Sequence, residues 1–212
     1  MTDPAGRLQI RIVPSGTTIV SSRPLRAARV LIGRDPAQTA RLVPALFSIC
    51  ATAQSAACAQ ALEQAQGLAP EPSRIALRGR LVAAETLREH LWRMLLDWPR
   101  LLGLAPDVHA MAGVMETYGR LRGELTRGQD PFGPARCAVV PEKGVVEGPL
   151  RELQDLVRER ILGVAPGLWL ASVRGLGTLV AWSEQTDTVP ARLLRGLLAR
   201  DQGDLGRCAI GP

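Results

Sequence analysis

Aromatic side chains are almost missing. Four Trp, two Phe and one Tyr make up 3% of the 212 residues. Leu, Val, Ala and Ile must therefore fill the core, which favours helices over a large aromatic-rich sandwich. Lysine is rarer still: Lys143 alone, so nearly all the positive charge is arginine. There is no basic run and no interleaving of basic and aromatic residues. That argues against a nucleic-acid stacking platform, although the net charge is +6 and the pI about 10.0. The central arginines (Arg74, Arg78, Arg80, Arg88, Arg93, Arg100, Arg120, Arg122, Arg127) alternate with Glu85, Glu89, Asp97, Glu116 and Glu124 and read as a solvated surface.

No apolar run reaches the roughly 18 residues needed to span a bilayer. The polar segment Met1–Arg7, with Pro4 and Gly6, does not resemble a signal peptide. Cys50, Cys58, Cys137 and Cys208 form no disulfide framework, so a reducing cytoplasmic setting is expected. No C-x-x-C pair is present, and His90 and His109 pair at short spacing neither with each other nor with a cysteine. Phosphate-loop, dinucleotide-binding, nucleophile-elbow and H-E-x-x-H motifs are absent too. An enzyme is not expected.

What is present is 46% hydrophobic and 22% charged, the balance of a globular chain of one domain over 1–212. Residues 8–13 alternate apolar and polar, Pro14-Ser15-Gly16 turns, and Thr17–Val20 is β-branched, which predicts an N-terminal hairpin. Helical spacing follows Pro24 and stops at Gly33. Asp35-Pro36 reads as N-cap and first residue of the next helix, with Pro44 interrupting it. A third helix spans about 49–66. Ser73 reads as the cap of a long helix over 74–97, with Leu77, Leu81, Ala84, Leu87, Leu91, Met94 and Trp98 on one face and Pro99 ending it. Residues 107–125 form another helix, with Val108, Met111, Met115, Tyr118 and Leu125 on one side. Residues 128–148 read as a loop. Leu150 to Ile161 mark a helix, 168–183 have no clear period, a last helix spans about 190–200, and 203–212 is a tail.

Cys50 stands at the expected start of the third helix. A thiol there faces unpaired backbone N–H groups and the positive end of the helix dipole, and both favour the thiolate that binds metals. Gln54 lies one turn on, and Cys58 one turn further. At 1.5 Å rise per residue, about 12 Å separates the two cysteines on one helix, too far to share a disulfide or a metal. Both also suit the role of small buried apolar side chains among alanines. His90 beside Glu89 reads as a surface histidine with a carboxylate neighbour, and Glu85 and Glu89 as partners of Arg88 and Arg93 on a solvated face.

The run Ala45-Leu46-Phe47-Ser48-Ile49-Cys50-Ala51-Thr52-Ala53-Gln54 continues through Cys58 to Ala61-Leu62-Glu63, with Gly33-Arg34-Asp35-Pro36 upstream. It resembles the N-terminal motif R-x-C-G-x-C-x-x-x-H of nickel–iron hydrogenase large subunits. Cys50 falls on the second cysteine and Gln54 on the histidine. Ala45, Phe47 and Ser48 replace the motif's Arg, first Cys and Gly. No D-P-C-x-x-C closes the chain; Cys208-Ala209-Ile210 stands near its place.

A large subunit stripped of nickel ligands is similar to the HupK/HoxV-type hydrogenase maturation proteins. The run from Leu46 to Cys58, Glu85 to Trp92, and Leu96-Asp97-Trp98-Pro99 resemble that family, best over 7–100. The resemblance implies a mainly α helical bundle with a small N-terminal β-hairpin, like a hydrogenase large subunit. It implies a scaffold that transiently holds an Fe(CN)2(CO) fragment, without nickel, and passes it to the large-subunit precursor alongside HypC/HypD-type factors. Cys50 would hold the iron and Gln54 would hydrogen-bond a cyanide or carbonyl, with Cys58 and His90 as lesser ligands. Two rivals are an inactive large-subunit homologue kept for subunit contact in a redox complex and an arginine-rich nucleic-acid-binding protein. The expected partners exclude nucleic acid and membrane.

Overall fold

The computed structural model describes residues 6–23, 26–133 and 143–203. Cys137, Cys208 and the tail from residue 204 lie outside them. The described residues are mainly helical, with one small antiparallel sheet.

The hairpin forms as its alternation predicts. Strand β1 (Leu8–Val13) pairs with β2 (Gly16–Ser21) in the register Leu8–Ser21, Ile10–Ile19, Ile12–Thr17. Gly16 closes the turn at φ 145°, a conformation a Cβ would strain. The helical spacing after Pro24 becomes only a short 3-10 turn, Ala27–Leu31. Helix α1 (Pro36–Leu46) starts as predicted: Asp35 Oδ1 accepts the N–H of Ala37 at 2.8 Å and of Gln38 at 3.3 Å, and Pro36 supplies a preset φ at the first position. Pro44 does not break it. One lost donor in the last turn leaves the other bonds intact, and the helix ends at Leu46.

Helix α2 (Ala51–Ala65) has Cys50 at its N-cap and stops before Gly67, which takes φ 66°. Helix α3 (Pro72–Trp92) begins earlier than Ser73 predicts. Glu71 is the N-cap and Pro72 the first helical residue, because the proline ring fixes φ where a donor is not needed. Nor does Pro99 end the run. A π turn at Arg93–Asp97 leads into α4 (Trp98–Leu101). Pro99 has no N–H for the carbonyl of Leu95; that oxygen instead accepts the N–H of Asp107 at 2.9 Å. The proline thus ties the end of the long helix to the start of the next.

Asp107 caps α5 (Val108–Thr126), its Oδ1 accepting the N–H of Ala110 at 3.0 Å, and Arg127 ends the helix in the left-handed region. The predicted loop over 128–148 is overturned at its far end, where α6 (Lys143–Leu156) already runs and continues through a π turn at Val157–Leu162. The segment without clear period is α7 (Pro166–Ser172) and α8 (Leu176–Gln185), and α9 (Val189–Ala199) closes the described chain.

The core lies between α3, α5 and α6. Leu77, Leu81, Ala84 and Leu91 of α3, with Leu95 of the π turn, meet Met111, Val114, Tyr118, Leu121 and Leu125, with Leu153 and Ile161 behind. Each fully buried aliphatic side chain contributes about 1.5–3 kcal/mol. The predicted face of α5 is corrected in part: Val108 and Met115 are exposed, while Val114 and Leu121 are buried.

Candidate functional site

Cys50 is exposed at the start of α2, and the amide Nε2 of Gln54 lies 3.7 Å from its Sγ, a sulfur hydrogen bond across one turn. A cleft of about 530 Å³ opens beside it, lined by Ser48 and Ala51 on either side of Cys50 in sequence and by α1, α3, α5 and residues 130–133.

The helix N-terminus is not left to the thiol. Glu85, 4% exposed, reaches from α3 and accepts the N–H of Thr52 on Oε1 at 2.8 Å and of Ala53 on Oε2 at 3.0 Å. Two of the orphan donors that would favour a thiolate therefore already serve a carboxylate. This overturns both the expected thiol–amide contact and the expected place of Glu85 on a solvated face. Glu85 instead fixes where α2 begins, and with it the position of Cys50. Glu89 does pair with Arg88, at 2.5 Å, but Arg93 pairs with Asp97.

A second buried network holds the segment that carries Asp130, Phe132 and Gly133 of the cleft wall. Arg78 grips Glu63 with two bonds of 2.7 Å, and its Nε donates to the carbonyl of Pro131 at 2.8 Å. Arg74 donates to the same carbonyl at 3.2 Å and to the carbonyl of Gly133. Arg78 holds the Glu63 carboxyl below the usual carboxylate range, against the opposing cost of burial. Burial first, and Arg78 second, push Arg74 below the ordinary guanidinium value. Arg88 stacks over the Tyr118 ring at 4.9 Å, and both side chains line the cleft.

Cys58 sits two turns along α2, half-buried, and burial pushes its thiol pKa up. A protonated thiol is a poor ligand. His90 is exposed on α3. Among the described residues no three His, Cys, Asp or Glu side chains are placed to share a metal ion. Cys50 and Gln54 are therefore the predicted pair that comes together, and nothing draws Cys58 and His90 to them. Sequence reasoning missed Glu85 as the anchor of α2, and Arg74 and Arg78 as partners of Glu63 and of the Pro131 and Gly133 carbonyls. Their signal is periodic: Arg74, Arg78, Leu81, Glu85 and Arg88 recur at helical spacing beside the Leu77–Leu91 face, and charges so placed need partners.

No protein-family profile and no solved structure matches the chain. The large-subunit likeness therefore stays with the sequence. Curated proteins do match. The chain is homologous to hydrogenase expression/formation proteins. Within that class its relatives are of the HupK/HoxV type. It is 41% identical over 84 residues to the protein HupK of Rhodobacter capsulatus, covering 40% of this chain and 25% of that one. It is 35% identical over 172 residues to HupK of Azotobacter vinelandii, covering 78% and 48%. Against HoxV of Cupriavidus necator it is 29% identical over 189 residues, covering 84% and 42%. The chain spans less than half the length of these relatives. No helix among the described residues is long and apolar enough to cross a membrane.

Proposed function

We propose that this protein is a non-catalytic scaffold in hydrogenase maturation, which holds an Fe(CN)2(CO) fragment on Cys50 and delivers it to the large-subunit precursor. The observation that carries the reading is an exposed thiol at a helix start that is anchored by a buried carboxylate, in a chain whose relatives are named hydrogenase expression/formation proteins. The iron is cargo. It would arrive with its own diatomic ligands, so one soft sulfur suffices to hold it and a complete cage would hinder release. Gln54 supplies an amide N–H beside the sulfur for a cyanide nitrogen. HypC/HypD-type factors would donate the fragment.

The test is infrared spectroscopy of the protein purified without oxygen from a host that makes the hydrogenase. Cyanide and carbonyl stretches fall where proteins are silent. Wild type and Cys58→Ala should show them. Cys50→Ala should lose them, and hydrogenase activity in that host should fall. Full hydrogenase activity with Cys50→Ala would overturn the reading.

A further inference from the structure

Charge and exposed apolar surface coincide at the N-terminal end of the chain. Residues 1–62 carry seven arginines and two aspartates, with no lysine or glutamate: a net +5 of the chain's +6. Arg7, Arg11, Arg23, Arg26, Arg29, Arg34 and Arg41 are all exposed, and among the described residues none forms an ion pair. From Arg78 onward the pattern reverses, and arginines repeatedly meet Asp or Glu.

The same region shows aliphatic side chains to solvent. Leu8, Ile10, Ile12 and Ile19 share one face of the hairpin by its register, and all are exposed, Ile12 at 80%. Val30 and Ile32 follow, and Leu46 and Ile49 lie next to the start of α2. Both strands are exposed along their whole length, and among the described residues no third strand pairs with either outer edge, which leaves main-chain donors and acceptors open there. A two-stranded sheet alone is marginal in water.

We infer that this hairpin face is a docking surface for an acidic protein segment that adds a strand to the sheet and covers the aliphatic face. Open edges give the main-chain bonds, and alternating side chains give the register. Arg7, Arg11 and Arg23, on or next to the strands and without an ion pair among the described residues, give the charge match and speed encounter. Nucleic acid is disfavoured because residues 6–46 contain no aromatic side chain on which a base would stack. A membrane surface is disfavoured because the same stretch lacks the Trp and Tyr that anchor at headgroup level. The inference does not rest on Cys50 or on iron.

The experiment measures fluorescence anisotropy of a labelled peptide of alternating glutamate and valine, titrated with the full chain. Its lysine–valine counterpart, phosphatidylglycerol vesicles and a short DNA duplex serve as competitors. The acidic peptide should bind, and its affinity should fall about tenfold or more from low to physiological salt. Amide exchange should slow along β1 or β2. Ile10→Lys should abolish binding. Arg11→Glu, which alters only an exposed charge, should weaken it by a similar factor with the helical circular dichroism unchanged. Cys50→Ala should bind as wild type does. Equal binding of the lysine peptide, tighter binding of vesicles or DNA, no binding at all, or no effect of Arg11→Glu would each overturn the inference.

Discussion

The hairpin and the α3–α5 pair obey the same kind of sequence rule and reach opposite ends. Ile10 and Ile12 alternate as cleanly as Leu77, Leu81 and Leu91 recur, yet the first two face solvent and the last three are buried. Periodicity says which side chains share a face. It does not say whether a partner surface exists to cover that face. In α3 the partner is α5, and the charges beside the apolar stripe are matched as well. In the hairpin neither the apolar face nor the arginines find a partner among the described residues. Tertiary stability therefore resides in the helices, and the N-terminal layer contributes surface.

The sharpest way to break the contrast is at Arg78, whose side chain is 7% exposed. Arg78→Ala strips Glu63 and the Pro131 carbonyl of their shared donor and leaves a half-desolvated carboxylate. A loss of about 3–5 kcal/mol is expected, read as a fall in the urea midpoint at constant slope. The same pair sets an acid limit. Because Arg78 lowers the pKa of Glu63 in the folded protein, the stabilisation is present above the unfolded value of about 4.3 and is lost as pH falls through the lower folded value. Stability of the wild type should therefore drop below about pH 4.3, and Arg78→Ala should flatten that part of the curve. An unchanged pH profile in the variant would place the acid sensitivity elsewhere.

Glu85 comes next. Glu85→Ala leaves the N–H groups of Thr52 and Ala53 without their acceptor at the first turn of α2, and about 2–3 kcal/mol should be lost. Glu85→Gln keeps one acceptor oxygen and should lose less. If Glu85 fixes the start of α2, amide exchange at Thr52 and Ala53 will quicken in both variants while α5 stays protected.

These residues also show what the chain discloses unaided. The hairpin, the Asp35 cap and the Leu77–Leu91 face were legible because each follows from local chemistry: alternation, a capping oxygen or a helical stripe. The start of α3 and the fate of Pro99 were not. Their outcome depends on a proline's preference for the first helical position and on a distant donor, the Asp107 N–H, that only the folded chain supplies. The candidate site divides in the same way. That Gln54 lies beside Cys50 was legible from spacing of one turn. Glu85 was read as a surface carboxylate because its partners lie 33 and 32 residues away and are backbone amides, which every residue possesses and no sequence marks.

A smaller effect separates the two cysteines of α2. Cys50 is exposed, whereas burial raises the pKa of Cys58 and so lowers its thiolate fraction near neutrality. With Cys137 and Cys208 replaced by serine, iodoacetamide at neutral pH should modify Cys50 about tenfold faster or more, by peptide mass spectrometry. Raising the pH should speed the labelling of Cys58 as more of its thiol, held protonated by burial, becomes thiolate. Equal rates at neutral pH would mean that α2 opens on the labelling timescale and that the Glu85 tether does not hold.

The smallest effect is expected where the apolar pattern looks strongest. Ile12→Ser removes a branched side chain from an alternating strand, a change that costs a buried position several kcal/mol. Here the side chain is 80% exposed, so almost no area returns to water on unfolding, and the urea midpoint should move by no more than about 0.5 kcal/mol. Leu91→Ala, at 1% exposed, should cost about 2–5 kcal/mol in the same assay. The pair of variants holds residue class nearly constant and changes only the presence of a covering surface. A large loss for Ile12→Ser would mean that the hairpin is covered in solution by something the described residues do not supply, and the loss should then depend on protein concentration if the cover is a second copy.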